Sequence, residues 1–476
     1  MKMCAGDGGR QSADMWRRAS RRYVAVSGTG RVWLDNARPA FPFSSVVSRV
    51  NIFPGWTRRR FIAGWGAAVL SAEGWLRAAG RAEPPLASFD REMEAFMAAR
   101  KIPGGALAVV KNRRLVYARG YGWADREKKI PAHAGSIFRI ASISKPFTAV
   151  AVLKLVEEGR LQLSDHAFPI LRLTPIPAAG KTADARLQTI TILQLLQHTA
   201  GWDRDRSGDP MFRSKEISMA AGLPGPADAG TIIRYLLGQP LDFAPGARYV
   251  YANFGYGVLG RIIEKVSGLG YEQFVREKIL KPAGITRMKI GATLDGQQAV
   301  GEVRYYTPDE ATGASVFPGA ARVPQPYDCW HLEVMDAHGG WIASAVDLAR
   351  FAAALDDPAR SPLLKPETIA KMYAPPTAPV ARRPDGKIAD AYYGCGWMVR
   401  PVGTGGKANY WHNGSLPGTN TLLVRRSDGL SWAALFNQRS EDKKLPDGEI
   451  DAALHRAANA VREWPRENLF PGLAGQ

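Results

Sequence analysis

The sequence predicts an α+β fold, in which an antiparallel sheet flanked by helices is interrupted by an inserted helical lobe. Strand patterns occur near both ends of the region that follows residue 82, and the long stretch between them has helical patterns broken by Gly/Pro-rich loops. Strands from distant segments must therefore meet in one sheet, and we expect a cleft where the lobe adjoins it. Hydrophobic residues at 46% and charged residues at 22% are ordinary for a soluble globular protein of 476 residues.

The individual elements follow from their local patterns. Residues 87–100 have apolar residues at helical spacing. Two apolar runs at 105–110 and 114–118, separated by charged and polar residues, predict an antiparallel hairpin. Further helices are predicted at 147–156, 190–197, 231–237, 254–266 and 449–462. Further strands are predicted at 396–399, 419–424 and 431–436, with a turn at Asp428-Gly429.

Residues 57–82 have the layout of an export signal. Thr57-Arg-Arg-Arg-Phe61-Ile62 precedes a short apolar stretch, and small residues then lead to Ala82. The paired arginines followed by Phe61 resemble the twin-arginine signal. We therefore expect the Tat export machinery to deliver a periplasmic or secreted protein that keeps no stable membrane span. The alternative is a basic amphipathic helix at the membrane surface.

The remaining boundaries follow from that signal. Residues 1–56 are expected to be disordered or not translated, since they are rich in small and charged residues without periodicity. We hypothesise a true start near Val46, Val47 or Val50. Residues 83–476 are predicted to form the catalytic domain, with its helical lobe at about 146–335.

The net charge of +19 does not predict nucleic-acid binding. Residues 1–82 contribute +10, and the remaining +9 is not arranged as a dense basic run interleaved with aromatic residues. A mildly basic enzyme surface is the preferred interpretation. The two cysteines that follow residue 82, Cys329 and Cys395, are expected to be buried free thiols, although they could pair in an exported protein.

The first of three chemical motifs is Ser142-Ile-Ser-Lys145. Ser142 begins an apolar helix, and Lys145 three residues later shares its face of that helix. A serine at a helix N-terminus has free backbone N–H groups nearby, and a buried lysine beside it can lose its proton and act as a base. The alternative is that Ser142 is only an N-cap. A second match, Ser440-Glu-Asp-Lys443, lies in a charged loop and is rejected.

The other two motifs are Tyr251-Ala-Asn253 and His412-Asn-Gly414. A tyrosine needs a cationic neighbour, such as Lys145, to act as a base. Asn253 offers an amide to a substrate carbonyl. Gly414, on a predicted edge strand, allows a substrate close to the backbone, and the N–H of Ser415 could pair with that of Ser142 as an oxyanion hole. His338-Gly-Gly340 has a similar form, but it is predicted to be a loop before a helix N-cap.

In their order and flanks these motifs resemble the serine β-lactamase and penicillin-binding-protein superfamily, and most closely its class C β-lactamase-like branch. The resemblance covers about residues 87–440, and it extends to the flanking segments 138–148, 195–201 and 339–344. It implies a β-lactamase/transpeptidase-like fold and no metal or organic cofactor. It also implies roles for particular residues: Ser142 as the nucleophile, Lys145 and Tyr251 in proton transfer, Asn253, His412, Asn413 and Gly414 in substrate binding, and the N–H groups of Ser142 and Ser415 as oxyanion donors.

One departure from the superfamily bears on the substrate. The third motif of class C β-lactamases is usually Lys-Thr-Gly, whereas this chain has His412 and Asn413. We expect His412 to be largely neutral at pH 7 and charged near pH 5.5, so that a β-lactam carboxylate is held weakly at neutral pH. Efficient antibiotic hydrolysis is therefore doubtful.

The sequence thus predicts an exported serine hydrolase that acts through an acyl-enzyme on ester, amide or D-amino-acid peptide substrates. One alternative is a true class C-type β-lactamase. Another, from a different class, is a non-catalytic protein that binds peptidoglycan or peptides on the same fold. The intact Ser142, Lys145 and Tyr251 argue against the second alternative.

Overall fold

A computed structural model describes residues 86–177, 183–319, 322–383 and 385–473. The predicted disordered segment and the predicted signal at 57–82 lie outside these residues, so the export and start-site predictions stay predictions. None of the helices in the described part of the chain is long and apolar enough to cross a membrane.

The described residues form thirteen strands. They are β1 (Gly104–Lys111), β2 (Arg114–Asp125), β3 (Ile130–Pro131), β4 (Phe138–Arg139), β5 (Lys289–Ile290), β6 (Thr312–Gly313), β7 (Val323–Pro324), β8 (Trp341–Ala343), β9 (Tyr392–Tyr393), β10 (Met398–Pro401), β11 (Ala408–Leu416), β12 (Thr419–Arg425) and β13 (Leu430–Phe436).

Twelve α-helices lie within the same residues. They are α1 (Ala87–Arg100), α2 (Ser144–Glu157), α3 (Ala167–Leu171), α4 (Ile192–Leu196), α5 (Arg204–Ser207), α6 (Ser214–Ala220), α7 (Ala229–Leu237), α8 (Asn253–Ser267), α9 (Tyr271–Val275), α10 (Ala345–Leu355), α11 (Pro366–Tyr373) and α12 (Glu449–Ala460). Shorter 3₁₀ turns include Ala141–Ile143 and Pro210–Phe212.

Eight strands form one antiparallel sheet with the order β3-β2-β1-β13-β12-β11-β10-β9. The first hairpin joins the last strand directly, because Gly105 pairs with Phe436 and Lys111 with Leu430. The prediction that distant segments build one sheet is therefore confirmed. A smaller sheet, β4-β8-β5, lies beside it and carries the segment before Ser142.

Both faces of the large sheet are covered, which explains why its central strands are continuously apolar. In β1, Leu107 and Val109 point into a core that contains Phe89 of α1 and Leu454 of α12. The alternate residues of β1 point into a second core, which is built around α2, α8 and α10. Strands β12 and β13 are buried at every position for the same reason.

The region between β4 and β8 supplies the predicted helical lobe, whose long helices α2 and α8 pack against each other. The helix predicted at 190–197 is shorter than expected. It begins only after Thr191, the N-cap residue, which forms a capping box with Gln194. Cys329 and Cys395 are buried free thiols, as expected.

The prediction that the His412 motif lies on an edge strand is wrong, because the strand that contains it is an interior strand of the large sheet. Strand β11 lies inside the sheet, with β12 on one side and β10 on the other. However, β10 is short, and its ladder with β11 ends at the pair Met398–Trp411. From His412 onward, β11 therefore extends beyond the ladder with β10.

Candidate active site

Ser142 lies in the 3₁₀ turn between β4 and α2. The Ser144 hydroxyl donates to the Ala141 carbonyl over 2.7 Å and ties this turn together. Ala141 has φ 47°, a left-handed conformation that costs a non-glycine residue about 1–2 kcal/mol. The turn leaves Ser142 half-buried, while its neighbours Ala141 and Ile143 are buried. The hydroxyl thus stays accessible at the start of an otherwise buried helix.

Lys145, in the first turn of α2, is fully buried and reaches Ser142 as predicted. Its Nζ lies 3.0 Å from Ser142 Oγ, 2.7 Å from Asn253 Oδ1 and 2.9 Å from the His338 carbonyl oxygen. Burial lowers the pKa of Lys145 well below its usual value, and this outweighs the opposing charge of Asp209. A neutral amine has two N–H donors for the two carbonyl oxygens and a lone pair for the Ser142 proton. The site can therefore use Lys145 as a base.

Tyr251 contacts the same hydroxyl from the other side. Its phenol donates to Ser142 Oγ over 2.8 Å, and Lys145 Nζ lies 4.7 Å from the centre of its ring. Burial raises the pKa of Tyr251, although the bond to Ser142 opposes the shift. Tyr251 is therefore a protonated donor in the resting site, and of the two predicted candidates Lys145 is the one that can accept a proton there.

His198 supports the Tyr251 ring, a role the sequence did not reveal. Its ring centre lies 4.4 Å from that of Tyr251 and 4.5 Å from that of Tyr393, and its Nδ1 accepts from the Ala252 N–H over 3.3 Å. Burial, then the charge of Lys145, lowers the pKa of His198 well below its usual value. A neutral imidazole among aromatic rings acts here by packing.

His412 is buried, and both of its ring nitrogens are used inside the protein. Nε2 lies 2.9 Å from the Tyr393 hydroxyl, and Nδ1 lies 2.7 Å from the Asn413 carbonyl oxygen. Burial and the nearby Lys145 lower the pKa of His412 to about 3. The pKa contradicts the expectation that His412 becomes charged near pH 5.5, because a charged imidazole would have to exist without water.

Asn253 is the first residue of α8, and its amide is held at both ends. Oδ1 accepts from Lys145, and Nδ2 donates to Asp209 Oδ2 over 2.6 Å. The sequence predicted an amide that binds a substrate carbonyl. In the structure this amide also links Lys145 to a carboxylate from the helical lobe.

Two charged residues next to the site were missed at the sequence level. Asp209 contacts Asn253, and the guanidinium of Arg204 lies 5.0 Å from the centre of the Tyr251 ring. Both come from the segment 203–209, which contains the short helix α5 and is remote from every motif. No local pattern marks these residues, because only the packing of the lobe brings them to Ser142.

Gly414 packs directly against the turn that carries Ser142, and its predicted role in substrate binding stays a prediction. A Cβ atom at this position would lie 2.3 Å from the Ile140 carbonyl oxygen, 2.3 Å from Thr421 Oγ1 and 3.0 Å from Ala141 Cβ. The missing side chain thus lets β11 approach the turn that carries Ser142. Of the two residues that flank Gly414 in the sequence, Asn413 is half-buried and Ser415 is exposed.

Two further segments resemble the motifs of the site in sequence, and the structure places only one of them next to Ser142 and Lys145. Ser440 caps a turn, since its hydroxyl accepts from the Asp442 N–H over 3.2 Å, which agrees with its rejection. The loop at His338 precedes Ser344, which caps α10 with Asp347 as predicted. The His338 carbonyl nevertheless contacts Lys145, so this loop belongs to the site through its backbone.

The described ranges contain no group of three or more His, Cys, Asp or Glu side chains arranged to hold a metal ion. The arrangement instead places a buried amine and a phenol each within hydrogen-bond distance of the Ser142 hydroxyl, a potential nucleophile. These are the groups that nucleophilic catalysis through a covalent ester requires.

Comparison with known proteins agrees with this geometry. The sequence model of the Beta-lactamase family matches residues 89–457. The chain is 32% identical to Protein flp of Staphylococcus aureus (strain COL) over 192 residues, which are 40% of this chain and 36% of that protein, so the match spans about a third of that relative's length. It is 27% identical to the putative penicillin-binding protein PbpX of Bacillus subtilis (strain 168) over 80% of this chain and 82% of that protein.

A solved structure with the same fold is the octameric penicillin-binding protein homologue from Pyrococcus abyssi. The two chains are 26% identical, with a TM-score of 0.59. The match covers 80% of this chain and 78% of that one. The predicted β-lactamase/transpeptidase-like fold is thereby confirmed, while the class C branch remains a prediction.

Proposed function

Because this chain belongs to the Beta-lactamase family, we propose that it is a serine hydrolase that forms an acyl-enzyme at Ser142. Its substrates are proposed to be small esters, amides or D-amino-acid peptides. The observation that carries the proposal is the pair of contacts at Ser142 Oγ, with Lys145 Nζ at 3.0 Å and the Tyr251 hydroxyl at 2.8 Å. A purely binding protein would have no need of a buried lysine beside a serine.

The proposed reaction begins when Ser142 Oγ attacks the substrate carbonyl carbon and its proton passes to Lys145 Nζ. The N–H groups of Ser142 and Ser415 are proposed to bind the oxyanion that forms. When the tetrahedral intermediate collapses, Tyr251 donates its proton to the leaving alcohol or amine and is reprotonated by Lys145. Water then attacks the ester carbonyl, with the same groups moving its protons in the reverse order.

The substrate proposal rests on the neutral His412. This residue does not supply the cation that a β-lactam carboxylate requires, because its pKa is about 3. Uncharged esters and amides need no such cation, so we propose them as the preferred substrates.

The second candidate function, β-lactam hydrolysis in the manner of a class C β-lactamase, is favoured by a different observation. The guanidinium of Arg204 lies 5.0 Å from the Tyr251 ring and is half-buried. Its positive charge, beside the phenol that contacts Ser142, is proposed to meet a β-lactam carboxylate. Comparing kcat/KM for nitrocefin and for p-nitrophenyl acetate separates the two functions, since an ester hydrolase should strongly prefer the second substrate.

Replacing the nucleophile tests the reaction class. Ser142→Ala should abolish turnover and also covalent labelling by a fluorophosphonate or a fluorescent penicillin, because the variant has no hydroxyl to acylate. Ser440→Ala is the matched control, since Ser440 has the same motif spacing but caps a turn. Mass spectrometry of the labelled protein should place the adduct on Ser142. An adduct on any other residue would refute the assignment.

We also propose that the protein is exported through the twin-arginine pathway. The support is the sequence alone, in which Arg58 and Arg59 precede a short apolar stretch. Secreted protein should begin close to Glu83, and Arg58→Lys combined with Arg59→Lys should keep it in the cytoplasm. N-terminal sequencing that finds residues 1–50 on the secreted protein would show that both the signal and the late start are wrong.

A further inference from the structure

The carboxylate of Asp209 joins two parts of the molecule. Its Oδ1 accepts from the Met211 N–H over 3.1 Å and caps the 3₁₀ turn Pro210–Phe212. Its Oδ2 accepts from Asn253 Nδ2 over 2.6 Å. Because a carboxylate only accepts hydrogen bonds, it selects the nitrogen end of the Asn253 amide. The oxygen end is then left for Lys145 Nζ, 2.7 Å away.

On the premise of the proposed function, we infer that Asp209 is a positioning residue: it fixes the Asn253 amide, and through it Lys145, for transfer of the Ser142 proton. The alternative orientation of the amide shows why this matters. A reversed Asn253 would present Nδ2 to Lys145 and donate to the lone pair of the amine. That lone pair is the one that must receive the proton from Ser142. Asp209 therefore keeps the base available without touching any reacting atom.

The charge of Asp209 has a second effect on Lys145, which can be measured. Burial is the main cause of the lowered pKa of Lys145, Arg204 lowers it further, and Asp209 raises it. The other titratable groups that face Lys145 are the imidazoles of His198, His338 and His412, whose pKa values are all lowered by burial, and the phenols of Tyr251 and Tyr256, whose pKa values are raised by burial. These groups are thus neutral near pH 7, and Asp209 is the negative charge that acts on the base.

Two substitutions separate the geometric effect from the charge effect. Asp209→Asn removes the charge and leaves one acceptor oxygen for the two donors, Met211 N–H and Asn253 Nδ2, whereas Asp209→Ala removes the charge and both acceptors. Asp205→Asn is the control, since Asp205 is exposed and lies in the same segment. The measurements are kcat and KM for p-nitrophenyl acetate from pH 4 to 10. The concentration of active sites is taken from the initial burst of p-nitrophenol, and kcat is calculated per active site. Tm is measured for each variant.

In Asp209→Ala, kcat at the pH plateau should fall about 100-fold with KM nearly unchanged, as expected for a misplaced base. In Asp209→Asn the plateau should fall less than in Asp209→Ala, because one acceptor oxygen remains for Asn253. The rate rises with pH as Lys145 loses its proton. Removing the negative charge favours the neutral amine, so the midpoint of this rise should move to lower pH. A merely structural role would change Tm without moving that midpoint.

The inference is overturned if Asp209→Ala keeps its plateau kcat, or if the midpoint does not move in Asp209→Asn. Asp205→Asn should match the wild type in both respects, and a shift of equal size there would also overturn it. Failure of the proposed function looks different. In that case the wild-type protein itself gives no burst and no adduct at Ser142.

Discussion

At the scale of single residues, the site works by removing side chains from water. Lys145 and His412 are both buried, and burial is the first cause of the lowered pKa of each. For Lys145 the result is an amine that loses its proton far more readily than an exposed lysine and can therefore act as a base. For His412 the result is an imidazole that stays neutral and holds Tyr393 and the backbone of β11. The same physical effect thus activates one residue and removes the charge of another.

A prediction about pH follows from His412. With a pKa of about 3, His412 stays almost wholly unprotonated at pH 5.5, so this residue gains no useful charge between pH 7.5 and 5.5. The ratio of kcat/KM for nitrocefin, which has a carboxylate, to that for p-nitrophenyl acetate should therefore stay within about twofold over this range. Protonation of Lys145 affects both substrates and cancels in the ratio.

The control for this measurement is His412→Gln, which cannot titrate and should give the same constant ratio. A tenfold rise of the ratio in the wild type but not in this variant would show that His412 does become charged.

The sequence revealed the residues whose relationship is local. Ser142 and Lys145 are three positions apart on one helix, so their contact follows from helix geometry alone. Asp209, Arg204 and the carbonyl of His338 could not be found in this way. They meet Asn253, Tyr251 and Lys145, respectively, only through the packing of segments that are distant in sequence. The pKa of His412 was misjudged for the same reason, because burial is a property of the folded chain.

At the scale of elements, the site depends on how closely β11 approaches the turn Ala141–Ile143. Gly414 permits this approach, and Thr421 on β12 adds a hydrogen bond from its hydroxyl to the Ile140 carbonyl over 3.0 Å. The turn is held on its other side by β8, where the Trp341 carbonyl accepts from the Ile140 N–H over 3.0 Å. The large and small sheets thus fix the backbone around Ser142 from two directions.

Gly414→Ala tests this arrangement. The new Cβ would lie 2.3 Å from the Ile140 carbonyl oxygen, which is backbone and cannot rotate away. We expect a loss of about 1–3 kcal/mol in the free energy of unfolding. Because the turn must shift, acylation of Ser142 should also slow by about 100-fold. The burst rate with p-nitrophenyl acetate and urea denaturation measure the two effects.

Gly270→Ala serves as the control, because a Cβ there meets nothing within 4 Å. An acylation rate in Gly414→Ala within threefold of the wild type would contradict the role given to this glycine.

At the scale of the whole molecule, helices α1 and α12 cover one face of the large sheet together. The Ser88 hydroxyl donates to the Ala457 carbonyl over 2.9 Å, and Arg456 pairs with Glu92 at 2.8 Å. Between them lies an apolar core that includes Phe89, at 0% exposure, and Leu454, also at 0%. Apolar burial and not the surface ion pair should therefore hold this layer to the sheet.

Two substitutions on α12 test which interaction dominates. Leu454→Ala should lower the free energy of unfolding by about 2–5 kcal/mol, since it leaves a cavity in a closed core. Arg456→Ala should lower it by less than about 1 kcal/mol, as expected for an exposed pair. Urea denaturation gives both values. Equal losses in the two variants would mean that the layer is not held mainly by its core. Labelling of Ser142 per folded molecule should be unchanged in both.

The pairing of β1 with β13 has a consequence for the time course of synthesis. Gly105 and Phe436 lie directly opposite each other on neighbouring strands of the sheet. A ribosome that adds about 5–20 residues per second needs roughly 15–65 s to make the chain between them. During that interval the β1–β2 hairpin has no partner on one side, and its edge is open to other chains. Strand β11, which packs on the turn bearing Ser142, also emerges late in that interval. The nascent polypeptide therefore cannot arrange its nucleophile until most of its residues have left the ribosome.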